Sequence, residues 1–337
     1  MLKFAIKKIV ERENLTIEEA SLAMDIIMKG EATPSQIAAL ITGLKMKGET
    51  VEEITGFAEK MRDHAVHIYP HSLNLVDTCG TGGDMSGTFN ISTVSALVAA
   101  GAGILIAKHG NKAVSSRCGS ADLFESLGVK IDIDPKKVEE CINVIGIGFI
   151  FAPVFHKAMK FAMPTRKEIG IRTVFNILGP LTNPADAKAQ VLGVFSPELC
   201  QKMAKVLKNL GVKRALIVNG NDGLDEISIS EKTKAAYLEN GKIKIYFINP
   251  SDFGFKKFRR EEVLGAGISD NKEIALNILK GKETGAKRSI VLLNSAAAIF
   301  VGGKAKDMKE GVKLAADSID SGKAYSKLEA LVKFTNS

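Results

Sequence analysis

Apolar positions in the first seventy residues recur every three or four places, with polar side chains between them. Ile37, Leu40, Ile41 and Leu44 form one such stripe, the spacing of a helix with a single buried face. Three starts carry a hydroxyl followed three residues on by Glu or Gln: Thr16 with Glu19, Thr33 with Gln36, and Thr50 with Glu53. In that pairing the hydroxyl accepts a backbone N–H and the longer side chain reaches back to the cap. Pro34 stands at the first helical position, where its missing N–H costs nothing. Four helices are expected, at roughly 3–13, 17–29, 34–47 and 51–67. Such a bundle needs a surface to cover it, either the rest of the chain or a second copy.

From residue 73 the pattern changes to short apolar runs alternating with helical stretches. LNLV leads into a glycine loop and a helix near 90–102; ILIA leads into a second loop and a helix from about Ser120. GFIFA, AQVLGVFS, a helix opened by Ser196 and Pro197, and RALIVNG follow, then AAYLENGKIKIYFI with the Asn240-Gly241 signature of a hairpin turn. This alternation predicts an α/β domain with a largely parallel central sheet. Residues 165–184 read as one helix closed by glycine and proline, an insert expected to pack on the N-terminal bundle. The expected organisation is a helical domain over 1–70 joined by the 165–184 insert, and an α/β domain over 71–337.

Composition narrows the class. With 45% hydrophobic and 25% charged residues among 337, the chain is an ordinary globular one. Its longest apolar stretches, such as SALVAAGAGILIA, are too short for a bilayer, and MLKFAIKKIVEREN has no apolar block with a cleavage site. No membrane association is expected, and a cytoplasmic location is. Cys79, Cys118, Cys141 and Cys200 stand far apart without metal-ligand spacing, as reduced thiols do. The formal charge of +8 comes from lysines spread along the chain, with only KKFRRE at 256–261 locally dense, so it reads as a solvated surface. The absence of Trp leaves little material for stacking bases, and no nucleic-acid partner is expected.

Three loops carry candidate chemistry. DTCGTGGDMSGTFNIST, 77–93, crowds glycines and hydroxyls between a strand and a helix start. Bare backbone there brings N–H groups to an anion, aided by the helix terminus. Gly80, Gly82 and Gly83 fit neither a Walker loop nor the dinucleotide GxGxxG, and Asp84 among them suits a cation or a sugar hydroxyl. The second loop, KHGNKAVSSRCGSAD, offers Lys108 as a point charge and Ser115, Ser116 and Ser120 as hydroxyl donors. Nothing nearby in sequence orients His109 as a general base, so it reads as a positioning or structural group rather than a base. In NDGLDEIS the adjacent acids Asp225 and Glu226 suit Mg²⁺ alongside substrate phosphates. His156 and Arg166 lie near the helical insert, and the planar fork of Arg166 matches a carboxylate.

GTGGD at 80–84, TFNIST at 88–93, KHGN at 108–111, GSAD at 119–122, RTVFNILGPLTNP at 172–184 and DGLDEI at 222–227, with LKMKGET at 44–50, resemble in order the anthranilate phosphoribosyltransferase family. The resemblance implies transfer of phosphoribosyl from 5-phosphoribosyl-1-pyrophosphate to anthranilate in tryptophan synthesis, with two Mg²⁺ per subunit and a homodimer through the helical domain. It implies that Gly80, Gly83, Asp84, Thr88, Asn90, Ile91, Ser92 and Thr93 surround phosphoribosyl pyrophosphate. Lys108, His109, Gly110, Asn111, Lys112, Ala113, Val114, Ser115, Ser116 and Ser120 belong to the same set. Gly80, Asn111, His156, Arg166, Gly179 and Pro180 would meet anthranilate; Ser92, Asp225 and Glu226 would hold metal. Met85 and Lys157 depart from the family pattern, where another glycine and a proline are common. A related pyrimidine nucleoside phosphorylase would lack a use for the Asp225-Glu226 pair. A non-catalytic relative that binds nucleic acid would be expected to lack the intact loops.

Overall fold

The structure, a computed structural model, describes every residue of the chain except Leu73, Met85 and residues 114–116. The departure at Met85 and the positions Val114, Ser115 and Ser116 therefore lie outside the described residues. Helices Leu2–Val10, Ile17–Met28, Pro34–Lys47 and Val51–Asp63 form the N-terminal bundle. All three expected capping boxes are made, with the hydroxyls of Thr16, Thr33 and Thr50 accepting the N–H three residues on. The first and last helices end earlier than their apolar pattern suggests. Arg12 turns left-handed at φ 62°, letting Glu13 N–H return to the Lys8 carbonyl. Beyond Asp63, Val66 N–H bonds to the Phe155 carbonyl, which draws the chain away toward the sheet.

Among the described residues seven strands follow: β1 Leu75–Gly80, β2 Leu105–Gly110, β3 Ile147–Phe151, β4 Ala189–Gly193, β5 Arg214–Gly220, β6 Thr233–Glu239 and β7 Lys242–Ile248. They lie in the order β3-β2-β1-β4-β5-β6-β7. The first five in that order are parallel, and β5, β6 and β7 pair antiparallel. The expected turn is present, with Asn240 at φ 47° and Gly241 at φ 77°.

Alternating strand residues enter two cores, because successive side chains point to opposite faces. On β5, Leu216 and Val218 pack among the helices Ile91–Gly101 and Ala286–Val301, while Ala215 and Ile217 face the helix Pro197–Asn209 and the bundle. The second core also takes Val174, Phe175, Ile177, Leu178 and Leu181 of the insert. That insert is not one helix. It is broken into Met163–Ile169, Phe175–Leu178 and a 3-10 turn Gly179–Leu181, because Gly170 adopts φ 66° and closes the first piece.

Candidate active site

The chain lays β2 and β3 on one side of β1, then crosses to β4 and β5 on the other, so strand order reverses between β1 and β4. Ligands of open α/β sheets bind beyond the carboxyl ends of the strands at such a point. Gly80 and Gly193 are register partners there.

The loop after β1 keeps its backbone bare by conformation as well as composition. Gly82 and Gly83 have φ of 67° and 75°, a region that strains other residues. Asp84 accepts the Ser86 N–H at 3.1 Å, and the hydroxyls of Ser86 and Thr88 lie 3.1 Å apart. Asn90 caps the following helix by accepting the Thr93 N–H at 3.2 Å. Ile91 is buried and can offer a ligand only backbone, while the Thr93 hydroxyl is buried without a partner among the described residues.

Lys108 lies beneath this loop, only 1% exposed. Its ammonium donates to the Thr78 carbonyl at 2.5 Å and the Ser92 hydroxyl at 3.3 Å. Burial lowers its pKa, with the Asp77 carboxylate opposing. The loop that follows is tied at its base. Asp122 accepts the N–H groups of Ala113 and Gly119 at 2.8 and 2.9 Å, and the Asn111 carbonyl accepts from Ala121 N–H and the Ser120 hydroxyl. Gly110 is packed so closely that a methyl group would lie 2.1 Å from the Ser120 oxygen. Lys112 is paired with exposed Glu125 at 2.8 Å, a contact that a ligand would have to replace.

The acid pair meets the phosphate loop directly. Asp225 accepts the Gly82 N–H at 2.8 Å, and its own N–H donates to Asp84 at 3.3 Å. Burial, then the Asp84 charge, raises Asp225 to about 7; burial and Asp225 push Glu226 well up, against Lys108 and a hydrogen bond from the Ser92 backbone. The site is thus short of positive charge, and its oxygen donors, with the Ser92 hydroxyl nearby, suit a hard cation. Among the described residues no three His, Cys, Asp or Glu side chains form a closed cage. Mg²⁺ requires none, since it keeps waters and takes substrate oxygens.

On the insert side, Arg166 stacks over the Phe175 ring at 4.9 Å and touches the Met163 sulfur at 3.4 Å. Among the described residues no carboxylate pairs with it within 4 Å. Gln190 of β4 donates to the Pro180 carbonyl at 2.6 Å, and the Thr182 hydroxyl to the Gly179 carbonyl at 3.0 Å, which fixes that turn beside the sheet. The His109 and His156 rings are 5.0 Å apart, both buried, and neither Nε2 has a partner among the described residues. Burial lowers both pKa values, His156 to about 4, so neither ring is cationic at neutral pH. A histidine held neutral stabilises the fold above its unfolded value near 6.5, and that stability is lost as pH falls toward 4. Urea unfolding should therefore show about 3 kcal/mol less stability at the acid end on account of His156. His156→Gln should flatten that part of the profile; an unchanged slope would mean that the ring already titrates normally.

Several groups around the site carry no motif of their own. The Arg172 guanidinium donates to the Gly83 carbonyl and stacks over Phe195 at 5.3 Å, joining the insert to the phosphate loop. Asp77, wholly buried, accepts the His109 N–H at 3.2 Å. Asn294 brackets Ile227 by donating to its carbonyl and accepting its N–H, both at 2.9 Å. Gly193 is signalled by a glycine at a strand end, which marks close backbone approach. The others are single residues on distant segments. A cavity of about 890 Å³ lined by Lys304, Lys327 and Phe334 lies at the opposite, amino ends of β2 and β3 and shares none of these groups.

The sequence matches the glycosyl transferase family helical bundle domain over residues 3–65 and the a/b domain of the same family over 72–325. It is 54% identical to the anthranilate phosphoribosyltransferase of Acetivibrio thermocellus, over 100% of this chain and 97% of that one. The Petrotoga mobilis enzyme of the same name is 51% identical over 100% and 97%. Among solved structures, that of Thermus thermophilus anthranilate phosphoribosyltransferase superposes with a TM-score of 0.93 at 45% identity, covering 99% of each chain. The Saccharomyces cerevisiae enzyme in complex with PRPP and Mg gives 0.91 at 29% identity, covering 99% of this chain and 98% of that one.

Proposed function

The chain belongs to the anthranilate phosphoribosyltransferase family, and on that premise we propose how its residues divide the transfer of phosphoribosyl from 5-phosphoribosyl-1-pyrophosphate to the amine of anthranilate. The observation that carries the assignment is the junction of the loops after β1 and β5 at the switch point, where Gly82 N–H meets the Asp225 carboxylate.

Backbone N–H groups of the 80–93 loop and the hydroxyls of Thr88 and Ser92 take the pyrophosphate and ribose oxygens. Lys108 sits beneath as fixed positive charge, and Asn111, Lys112 and Ser120 of the segment after β2 take the sugar phosphate. Asp225, Glu226 and Ser92 would hold Mg²⁺, two ions per subunit. When bound, the metal neutralises charge that develops on departing pyrophosphate. The aryl amine is already unprotonated near neutral pH, so attack on C1 needs orientation rather than a strong base. Neutral His109 and His156 serve that purpose by walling the anthranilate side with Gly179 and Pro180. Arg166 takes the carboxylate with its forked donors, while Asn111 and Gly80 lie between the two substrates.

The domain division at residue 70 and a cytoplasmic location belong to the same reading. So does a homodimer through the bundle, which is supported by the exposed apolar side chains of Phe4, Val10 and Met46. No helix among the described residues is long and apolar enough to cross a membrane.

Mixing the protein with Mg²⁺, phosphoribosyl pyrophosphate and anthranilate should consume anthranilate fluorescence; a folded sample that consumes none contradicts the assignment. Arg166→Ala should raise KM for anthranilate about tenfold or more while KM for phosphoribosyl pyrophosphate stays within about twofold. Equal losses for both substrates would remove Arg166 from the carboxylate contact.

A further inference from the structure

The dense basic run KKFRRE has no place in the reaction as described, yet it is not free surface. Lys257 pairs with Glu231 at 2.5 Å and Arg259 with Glu262 at 3.7 Å, both in exposed positions. Arg260 differs. Its guanidinium donates to the Asp222 carbonyl at 3.2 Å, at the root of the loop that carries Asp225 and Glu226. Asp222 in turn accepts the Ser228 hydroxyl at 2.7 Å, closing that loop across its base. Just before, Phe258 N–H bonds to the Ile229 carbonyl at 3.4 Å, on the far side of the same loop.

The same short segment then reaches the phosphate loop. A 3-10 turn spans Arg260–Val263, and Val263 is buried. The Val263 carbonyl accepts the Phe89 N–H at 3.3 Å, and Gly265 N–H donates to the Gly87 carbonyl at 2.9 Å. Thr88 and Leu264 form an antiparallel bridge between these bonds. Gly265 lies against Phe89 so closely that a methyl group there would be 2.7 Å from the Phe89 Cα. The segment 258–265 thus grips both substrate loops, one end on the acid pair's base and the other on Gly87–Phe89.

We propose that residues 258–265 are a strap that fixes the spacing of the acid-pair loop and the phosphate loop, with Arg260 its positioning residue for binding of phosphoribosyl pyrophosphate with Mg²⁺. The inference rests on the reading that these two loops hold that substrate. Its physical basis is that a ligand bridging two loops binds best when neither must be ordered on binding. Arg260 touches no reacting atom; it acts through the Asp222 carbonyl.

Calorimetry with phosphoribosyl pyrophosphate and Mg²⁺, together with steady-state kinetics, tests the strap. Arg260→Ala should weaken binding, and raise both KM for phosphoribosyl pyrophosphate and the half-activating Mg²⁺ concentration, by about fivefold. KM for anthranilate should stay within about twofold and Tm within about 2 °C. Arg260→Lys, which keeps a donor, should recover part of the loss, and Arg259→Ala should behave as wild type. Gly265→Ala, at the other end, should move the same two constants. Wild-type binding with no change in Arg260→Ala overturns the strap alone. A uniform loss of both substrates with a fall in Tm reduces Arg260 to a structural role and overturns its positioning. Failure of the wild type to bind phosphoribosyl pyrophosphate overturns the underlying reading and the strap with it.

Discussion

Replacing Asp225 and Glu226 together by their amides is expected to lower kcat/KM for phosphoribosyl pyrophosphate by about 10²- to 10³-fold while leaving the protein as stable as before or more so. The two carboxylates are half-buried, adjacent, and faced by Asp84, and their raised pKa values record how poorly that arrangement tolerates charge. Amides keep the shape, and the carbonyl oxygen of an amide in place of Asp225 could still accept the Gly82 N–H, so the loop junction need not open. What disappears is the negative charge that would hold a cation against the leaving group. Opposite signs for activity and stability are the mark of a site built for a ligand, because a purely structural pair loses both when broken. The checks are a Mg²⁺ titration of the rate and a thermal melt without metal. An unaltered Mg²⁺ response in the double variant would refute the metal role, and a sharp fall in Tm would show that the pair instead holds the fold.

The second large effect is expected at a residue that touches no substrate. Gly193 ends β4 beside Gly80, and a methyl group on it would lie 1.5 Å from the Asp225 carbonyl oxygen. That neighbour is backbone, so it cannot swing aside; the acid loop must move as a unit. Gly193→Ala should cost about 1–3 kcal/mol of stability and about a hundredfold in kcat/KM, with the activity loss exceeding what unfolding explains. Gly267, where an added methyl group meets nothing within 4 Å, supplies the control: Gly267→Ala should alter neither. Full activity in Gly193→Ala would mean that the acid loop is not held where β4 ends.

The division between what could be read and what could not follows the range of the forces involved. Short-range chemistry is written in the chain itself. A threonine with Glu or Gln three residues on fixed the starts at Thr16, Thr33 and Thr50, and Asn240-Gly241 fixed the hairpin between β6 and β7, because each bond closes within a few residues. Strand and helix alternation carried the sheet's class because each segment's periodicity is local, although its parallel pairings join distant residues. The glycine loop, the lysine loop and the acid pair were each visible as compositions unsuited to a core.

Helix ends and the broken insert were less legible. Arg12, Gly170 and the turn toward Phe155 are decided by one backbone angle or one distant carbonyl, and an apolar stripe runs past them unchanged. Farther out, sequence by itself determined which groups the site contains but not how they meet. That Asp225 lies on Gly82, that Arg172 reaches Gly83, and that Arg260 grips the base of the acid loop depend on contacts between residues 38 to 143 positions apart. Only the strand order, with its reversal between β1 and β4, brings those segments to one end of the sheet, and only burial there turns a pair of ordinary acids into a site that demands a cation.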